Sequence, residues 1–453
     1  MKVQLWPEPE ETIGGIAAAL REEELTCREV AEQYIERIQH QEHEIDAWAF
    51  LDTEEVFAQA EYLDHLARKG QWISPLHGVP IGIKDIIDVA GWPTACGFSP
   101  WRERRAEQDA WVVQRLRAAG ALLLGKTVTT QFAGFDPAPT RNPWAPDRTP
   151  GGSSSGSAAA LAAGMCPVAL ATQTGGSILR PAAYCGVIGL KPTYGRVSVS
   201  GVFPFAKSLD HVGVMTRTVE DAALMLDVLS GPEPHARPTA LRGTRAMQTL
   251  LHTHYNPRRF RIGVLAGYFM EAAKVDAVEM TEYAAGVVGQ FGHTVTQVEG
   301  LERDRVETAL EMHRVIMCAE AAAVHESIYE EHADEYGPKM REIIEYGRSL
   351  PATRYLQAKE YQRHFRRYCC SLFKECEVLV TPATPDQPPG RSTTGPPDFQ
   401  IPWSLAGLPT ITVPVDVNDD GLPMGIQLIA NWGRDVLLLQ VAARFEQAFR
   451  SEW

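Results

Sequence analysis

Between Leu76 and Ala171 the chain alternates short, unbroken apolar runs with helical stretches, and this alternation restricts its fold more than any other feature. HGVPIGIKDIIDVAG is β-branched and punctuated by Gly and Pro, Val112 to Ala119 has helical spacing, and ALLLGKT is a second short apolar run. A Gly/Ser loop, Gly151 to Gly156, then leads into the Ala-rich stretch Ser157 to Ala163 and on to the strand-like Val168 to Ala171. A short run with no polar alternation is a strand buried on both faces, and the helices between such strands supply the cover. The pattern predicts an α/β fold: a large mixed, mostly parallel β-sheet core covered by helices on both faces.

The flanks extend this plan. Thr26 is placed to cap the helical CREVAEQYIERIQ, with Glu29 completing a capping box and Val30, Tyr34, Ile35 and Ile38 on one face. A second helical run covers Thr53 to Lys69. FRIGVLAG, a helix around Val275 to Gln290, and HTVTQV form another β-α-β crossover, and a charged helical stretch runs from Asp304 to Lys374. EVLVTPATP, PTITVPVDV and MGIQLIA are strands, and Val436 to Phe449 is an amphipathic helix. The Pro/Gly-rich segment Asp386 to Pro397 lies between two of these strands and is expected to be a surface loop. At about 150 residues per domain, 453 residues would allow three domains, but no linker divides the chain cleanly.

Composition narrows the class of partner. With 45% apolar and 22% charged residues, collagen-like, coiled-coil and disordered chains are excluded. The net charge of −14 has the wrong sign for phosphate backbones or anionic membranes, so no nucleic acid and no membrane partner is expected. The longest nearly apolar run, Ala158 to Ala171, is broken by Gly164 and Pro167 and falls short of the roughly 18 to 20 residues of a membrane span. The opening MKVQLWPEPEETIGG has neither the apolar core nor the cleavage site of a secretory signal. Eight cysteines without a CxxC pair fit reduced thiols, and a cytoplasmic location is expected.

Three segments carry potential chemistry. Lys84 ends an apolar run; such a lysine either snorkels to solvent or is desolvated enough to be a neutral base near pH 7. TPGGSSSGSAAALAAG is a Gly/Ser loop entering a helix, but no GK[ST] follows, so a nucleotide site is poorly supported. Ser154 sits at the centre of a G-x-S-x-G match, yet the preceding Asp147 to Pro150 is turn chemistry rather than the strand a nucleophile elbow requires. In the third segment, Thr174-Gly175-Gly176-Ser177 lets several N–H groups converge as an oxyanion hole would need, or is a tight turn between strand and helix.

GIKD around Lys84, GGSSSGSAAALAAG, and QTGGSILRPAAYCGVIGLKPTYGRVS stand in that order, with Ser177 lying 24 residues after Ser153. Together they resemble the amidase signature family of serine hydrolases. The likeness continues through GALLLGKTVTTQFAG, VLVTPATP, SLAGLPTITVP and GLPMGIQLIA, so it covers most of the chain. The resemblance implies one unit over 1–453: N-terminal helices at 1–70, the signature core at 71–230, a variable and largely helical section at 231–375, and a return to the core at 376–453. It also implies Ser177 as nucleophile, Ser153 as bridging serine, Lys84 as base, and a cis peptide between Gly152 and Ser153. The N–H groups around Thr174, Gly175 and Gly176 would form the oxyanion hole. The chemistry so implied requires no metal and no organic cofactor.

The sequence departs from the family pattern in the loop chemistry. Many relatives carry Asp at the position of Gln173, Arg at that of Leu179, and Glu at that of Gln131. Arg180 either contacts a substrate carboxylate or holds the loop through an internal partner. Gln131, Phe132 and Arg180 are the expected substrate-binding residues, and Phe98, Phe132, Phe135 and Trp144 lie near enough to the signature loops to build an apolar pocket. Asp210-His211 does not make a Ser-His-Asp triad, because neighbours on a strand face opposite ways. His364, Cys369, Cys370 and Cys376 match no zinc spacing, and Cys166 and Cys185 have the apolar neighbours of packing residues.

The implied activity is hydrolysis of a C–N amide-type bond in a carboxamide, anilide or carbamate, through an acyl-enzyme, with urethanase, aryl acylamidase or side esterase activity as its forms. The alternative is the amidase subunit of a tRNA-dependent amidotransferase complex. The expected partners are a small-molecule amide or carbamate substrate and water, and a homodimer is compatible with the sequence.

Overall fold

The computed structural model describes residues 3–233, 243–255 and 258–450. Residues 1–2 of the opening stretch, and 234–242 and 256–257 of the expected helical section, lie outside them. The described residues contain the strands β1 (Trp48–Leu51), β2 (Pro80–Lys84), β3 (Leu122–Thr127), β4 (Val168–Gln173), β5 (Ile188–Lys191), β6 (His211–Thr216), β7 (Arg261–Leu265), β8 (Thr294–Val298), β9 (Val378–Pro382), β10 (Thr410–Val417) and β11 (Pro423–Ala430). They form one sheet in the order β1-β3-β2-β4-β6-β5-β10-β11-β9-β7-β8.

The α/β class and the mixed sheet agree with the sequence reading, while the balance of directions differs from a mostly parallel sheet. Among the described residues four neighbouring pairs are parallel, β2 with β3 and β4 and β7 with β8 and β9, and the other six are antiparallel. The reason is physical: an unbroken apolar run reports that a strand is buried on both faces, and says nothing about which way its neighbour runs. Each parallel pair has helix in its connection, such as Trp111–Ala118 between β2 and β3, whereas β10 and β11 are joined by a short turn at 418–422.

The helices form where capping and periodicity place them. Cys27–Ile45 starts at the Thr26 capping box, in which Glu29 N donates to Thr26 Oγ1 (3.1 Å) and Thr26 N donates to Glu29 Oε2 (2.8 Å). It buries Val30, Tyr34, Ile35 and Ile38, the face expected from their spacing. Within the section at 231–375, β7 and β8 extend the edge of the sheet, and the described residues add the helices Ala246–Tyr255, Tyr268–Ala272, Val275–Gln290, Arg303–His332, Pro338–Ser349 and Ala352–Ser371. Among the described residues no helix is long and apolar enough to cross a membrane.

The last helix, Asp435–Arg450, is locked to the signature segment by a buried ion pair. Asp435 accepts from Thr193 N and Thr193 Oγ1 (2.7 Å each) and from Arg196 Nη2 (2.9 Å). Removing one partner of such a pair strands the other charge in a dry environment. Asp435→Ala is therefore expected to destabilise the protein by about 3 to 5 kcal/mol, read as a lowered denaturation midpoint; an unchanged midpoint would contradict this account of the helix anchor.

Candidate active site

β2 delivers Lys84 to the site. All five residues from Pro80 to Lys84 are buried, and Lys84 itself has no exposed surface. Its Nζ is 2.8 Å from both Ser153 Oγ and Thr172 Oγ1, so its hydrogen-bond partners are hydroxyls rather than a carboxylate. Burial drives the amine well below the ordinary lysine value of 10.5, opposed chiefly by the negative charge of Asp210. Of the two readings of this lysine, the desolvated amine is the one the structure shows.

Ser153 lies in the loop before the helix Ser155–Ala162, after a cis Gly152–Ser153 peptide. Thr130 N donates to its carbonyl (3.1 Å), and Ser155 Oγ donates back to Gly151 O (2.8 Å), which closes the loop on itself. Ser154 Oγ donates to Thr172 O (3.3 Å). That hydroxyl is committed to the backbone and the loop does not rise from a strand, so the G-x-S-x-G match is not a nucleophile elbow.

Ser177 occupies the turn between β4 and the helix Leu179–Cys185, and Gln173 shapes that turn. Gln173 Oε1 accepts from Ile178 N (2.7 Å) and Leu179 N (3.0 Å), while its Nε2 donates to Ser404 Oγ (2.9 Å). Ser404 Oγ in turn donates to Gly175 O (2.6 Å), and His313 Nε2 donates to Thr174 O (3.0 Å). In a trans peptide N–H and C=O point opposite ways. Pinning these two carbonyls therefore turns the N–H groups of Gly175 and Gly176 away from Ser404 and His313. A Cβ on Gly176 would lie 2.9 Å from Gln400 Oε1, so this turn accepts glycine there for space. Ser177 keeps 9% of its surface, whereas Ser153 and Lys84 keep none, which makes it the solvent-facing member of the trio.

The expected substrate contacts fare differently. Arg180 donates through Nη1 to Gly395 O (2.7 Å) and through Nη2 to Gly152 O (2.7 Å) and Thr394 Oγ1 (3.2 Å). It is buried and ties the Ser177 turn to the Ser153 loop, the structural alternative of the two raised from sequence. Its partners Thr394 and Gly395 are buried, so the segment Asp386 to Pro397 is not wholly the surface loop expected. Phe132 has no exposed surface; φ of +50° turns it into a cluster with Phe98 (4.7 Å) and Tyr336 (5.4 Å). Gln131 bridges to the segment before Pro338–Ser349, donating to Glu335 O (2.9 Å) and accepting from Gly337 N (2.8 Å). Trp144 donates to Cys185 O (2.9 Å).

Of the four aromatics, Phe135 alone lines a cleft of about 620 Å³ that also borders His313, Gly395 and Ile401 beside the Ser177 turn. Met317 and Ile343 make it partly apolar, and Arg314, Lys339 and Asp398 bring charge to it. A smaller cavity of about 210 Å³ is lined by Thr172, Thr174 and Asp210. Asp210, which precedes β6, and His211, which opens it, go to different partners, Thr174 Oγ1 (2.5 Å) and Gln173 O (3.3 Å). Burial raises the Cys166 thiol to about 12, in keeping with a packing residue.

Sequence reasoning missed Thr172, His313, Ser404 and Thr394. Thr172 had a signal, since it lies two residues before Thr174 at the end of a strand and so shares its face. Ser404 opens the SLAGLPTITVP run of the family likeness, though that run alone gave it no role, and His313 and Thr394 come from remote segments and carried no signal.

A family model described as Amidase matches residues 29–439. The chain is 35% identical to a glutamyl-tRNA(Gln) amidotransferase subunit from Chloroflexus aggregans, over 98% of this chain and 96% of that protein. It is 32% identical to the protein of the same name from Alkaliphilus metalliredigens, over 97% and 96%. Among solved structures, the peptide amidase of Stenotrophomonas maltophilia is similar with a TM-score of 0.85, 27% identity and 98% coverage of both chains. The 6-aminohexanoate cyclic dimer hydrolase gives 0.86, 28% identity, and 99% and 98% coverage. A chain from a vestigial protein complex, studied for the evolutionary origins of an s-triazine catabolic enzyme, gives 0.89 with 31% identity, over 96% of this chain and 98% of that one.

Proposed function

The chain belongs to the amidase family, and on that premise we propose that it hydrolyses a C–N amide-type bond at Ser177, with Ser153 and Lys84 relaying the proton. The observation that carries this reading is a wholly buried lysine whose amine lies 2.8 Å from the hydroxyl of Ser153. A serine hydroxyl is a weak nucleophile until its proton is removed as it attacks. Ser177 Oγ bonds to the carbonyl carbon and gives its proton to Ser153 Oγ, whose own proton passes to neutral Lys84. The N–H groups of the Thr174 to Ser177 turn hold the oxyanion. When the C–N bond breaks, the proton returns through Ser153 to the departing nitrogen, and water repeats the steps on the acyl-enzyme.

The partly apolar cleft accepts a carboxamide, anilide or carbamate, and an ester carbonyl would suffer the same attack. The curated relatives weigh toward a second setting for this chemistry, as the amidase subunit of a tRNA-dependent amidotransferase, because the identity to the glutamyl-tRNA(Gln) amidotransferase proteins runs through nearly the whole of both chains. The two settings share the relay and differ in what the isolated chain does. Purified chain should hydrolyse simple amides unaided if it is free-standing; a panel of matched amide, anilide, urethane and ester substrates sharing one acyl group reads this directly. Inactivity alone, with glutaminase activity appearing only when partner chains and charged tRNA are added, would establish the role within a complex.

A further inference from the structure

We propose that Asp210 is a positioning residue which holds the oxyanion turn through Thr174, on the wall of the cavity it shares with Thr172, the hydroxyl partner of Lys84; this rests on the reading of Lys84, Ser153 and Ser177 as the proton relay. Asp210 immediately precedes β6. Its Oδ2 accepts from Phe205 N (2.9 Å) and Ala206 N (3.0 Å), which fixes the carboxylate, and Oδ1 is left to accept from Thr174 Oγ1 (2.5 Å). A carboxylate with three donors is held in place, and so is the hydroxyl it grips.

That grip matters because Thr174 opens the turn. Its carbonyl is pinned by His313 from the other side, so the residue is fixed at both its main chain and its side chain. A purely local turn anchor would need only the bonds to Phe205 and Ala206. The further bond to Thr174 joins the turn before β6 to the end of β4. Asp210 and Thr172, which accepts from Lys84, also line the same cavity of about 210 Å³. Asp210 is the foremost charge acting to keep Lys84 protonated.

Other charged or titratable groups face this pair. Glu320, on Arg303–His332, raises the Asp210 carboxyl, and Lys359, on Ala352–Ser371, reaches Ser208 Oγ (2.7 Å) nearby. Lys207, three residues before Asp210, and His211, next to it, line the same cavity, and Cys96 lies near Lys84. Burial brings the Asp210 carboxyl up to about 6, so it is anionic at neutral pH. An anion favours the protonated amine; removing it lowers the proton affinity of Lys84 and moves the acid limb of kcat/KM to lower pH.

The test uses the full chain and an anilide substrate, comparing wild type with Asp210→Asn, Thr174→Val, Thr174→Ser, Ser177→Ala and Lys84→Met. Asp210→Asn is expected to lower kcat by about tenfold or more while KM stays within about twofold, with the acid limb moved to lower pH. Thr174→Val should reproduce the loss in kcat without moving the limb, and Thr174→Ser, which keeps the hydroxyl, should restore kcat. A wild-type kcat and pH profile in Asp210→Asn, with Ser177→Ala and Lys84→Met inactive, overturns this inference alone. If Asp210→Asn does not fold, an unchanged kcat in Thr174→Val overturns it. Activity surviving in Ser177→Ala overturns the relay, and the inference with it.

Discussion

Ser177→Ala is expected to lower turnover by at least ~10⁴-fold and to abolish labelling by a serine-directed sulfonyl fluoride. Three serines compete for the role of nucleophile within the signature, and their surroundings separate them. Ser154 has its hydroxyl bonded to Thr172 O, and Ser153 has its hydroxyl against Lys84 with no surface of its own. Ser177 is the one that reaches solvent, on a turn whose peptide planes are set by Gln173, Ser404 and His313. Mass spectrometry of the labelled protein should place the reagent on Ser177, and Ser154→Ala should still be labelled. Full labelling of Ser177→Ala would sink the assignment.

The parts of this fold that were legible in the sequence are those set by local chemistry. The Thr26 capping box, the Val30 to Ile38 face and the all-apolar strand around Ile81 and Ile83 are written in neighbouring residues, and each formed where its pattern placed it. Strand direction was not legible, because burial on both faces is compatible with either direction, and β5, β10 and β11 join the sheet antiparallel. The site divides in the same way. Lys84, Ser153 and Ser177 came from a resemblance in motif order, and the structure places Lys84 against Ser153.

The side chains that shape the Ser177 turn are different. His313, Ser404 and Thr394 arrive from helices and loops more than 130 residues away in sequence, and nothing local to them announces the contact. Phe132 shows the converse error: an aromatic near a signature loop is as readily drawn inward as left on a pocket wall, and here it went inward. Arg180 likewise spent its donors on Gly395, Gly152 and Thr394, the cheaper outcome for a guanidinium that is taken out of water.

Replacing Lys84 should cost nearly as much as replacing the nucleophile, and its pH behaviour is the sharper test. An amine with the ordinary value of 10.5 would be neutral in only about 0.03% of molecules at pH 7. Burial lowers that affinity, so kcat/KM should rise through one proton well below pH 10.5 and be level from there into the alkaline range. Lys84→Met, similar in length and without a titrating group, is expected to lose ~10³- to 10⁴-fold in kcat/KM. Lys84→Arg should not recover it, since a guanidinium stays protonated and cannot accept. Stability carries a second, independent signature. Between the lowered folded value and the unfolded value of 10.5, the unfolded chain binds the extra proton, so wild-type stability should climb as pH rises across that window. Lys84→Met should lose the Lys84 share of that climb and keep the share of Lys191, which burial lowers to about 7. Denaturation midpoints of the two proteins at a series of pH values measure the difference; parallel curves, or a wild-type rate still rising toward pH 10, would mean that Lys84 is charged in the folded protein and is not the base.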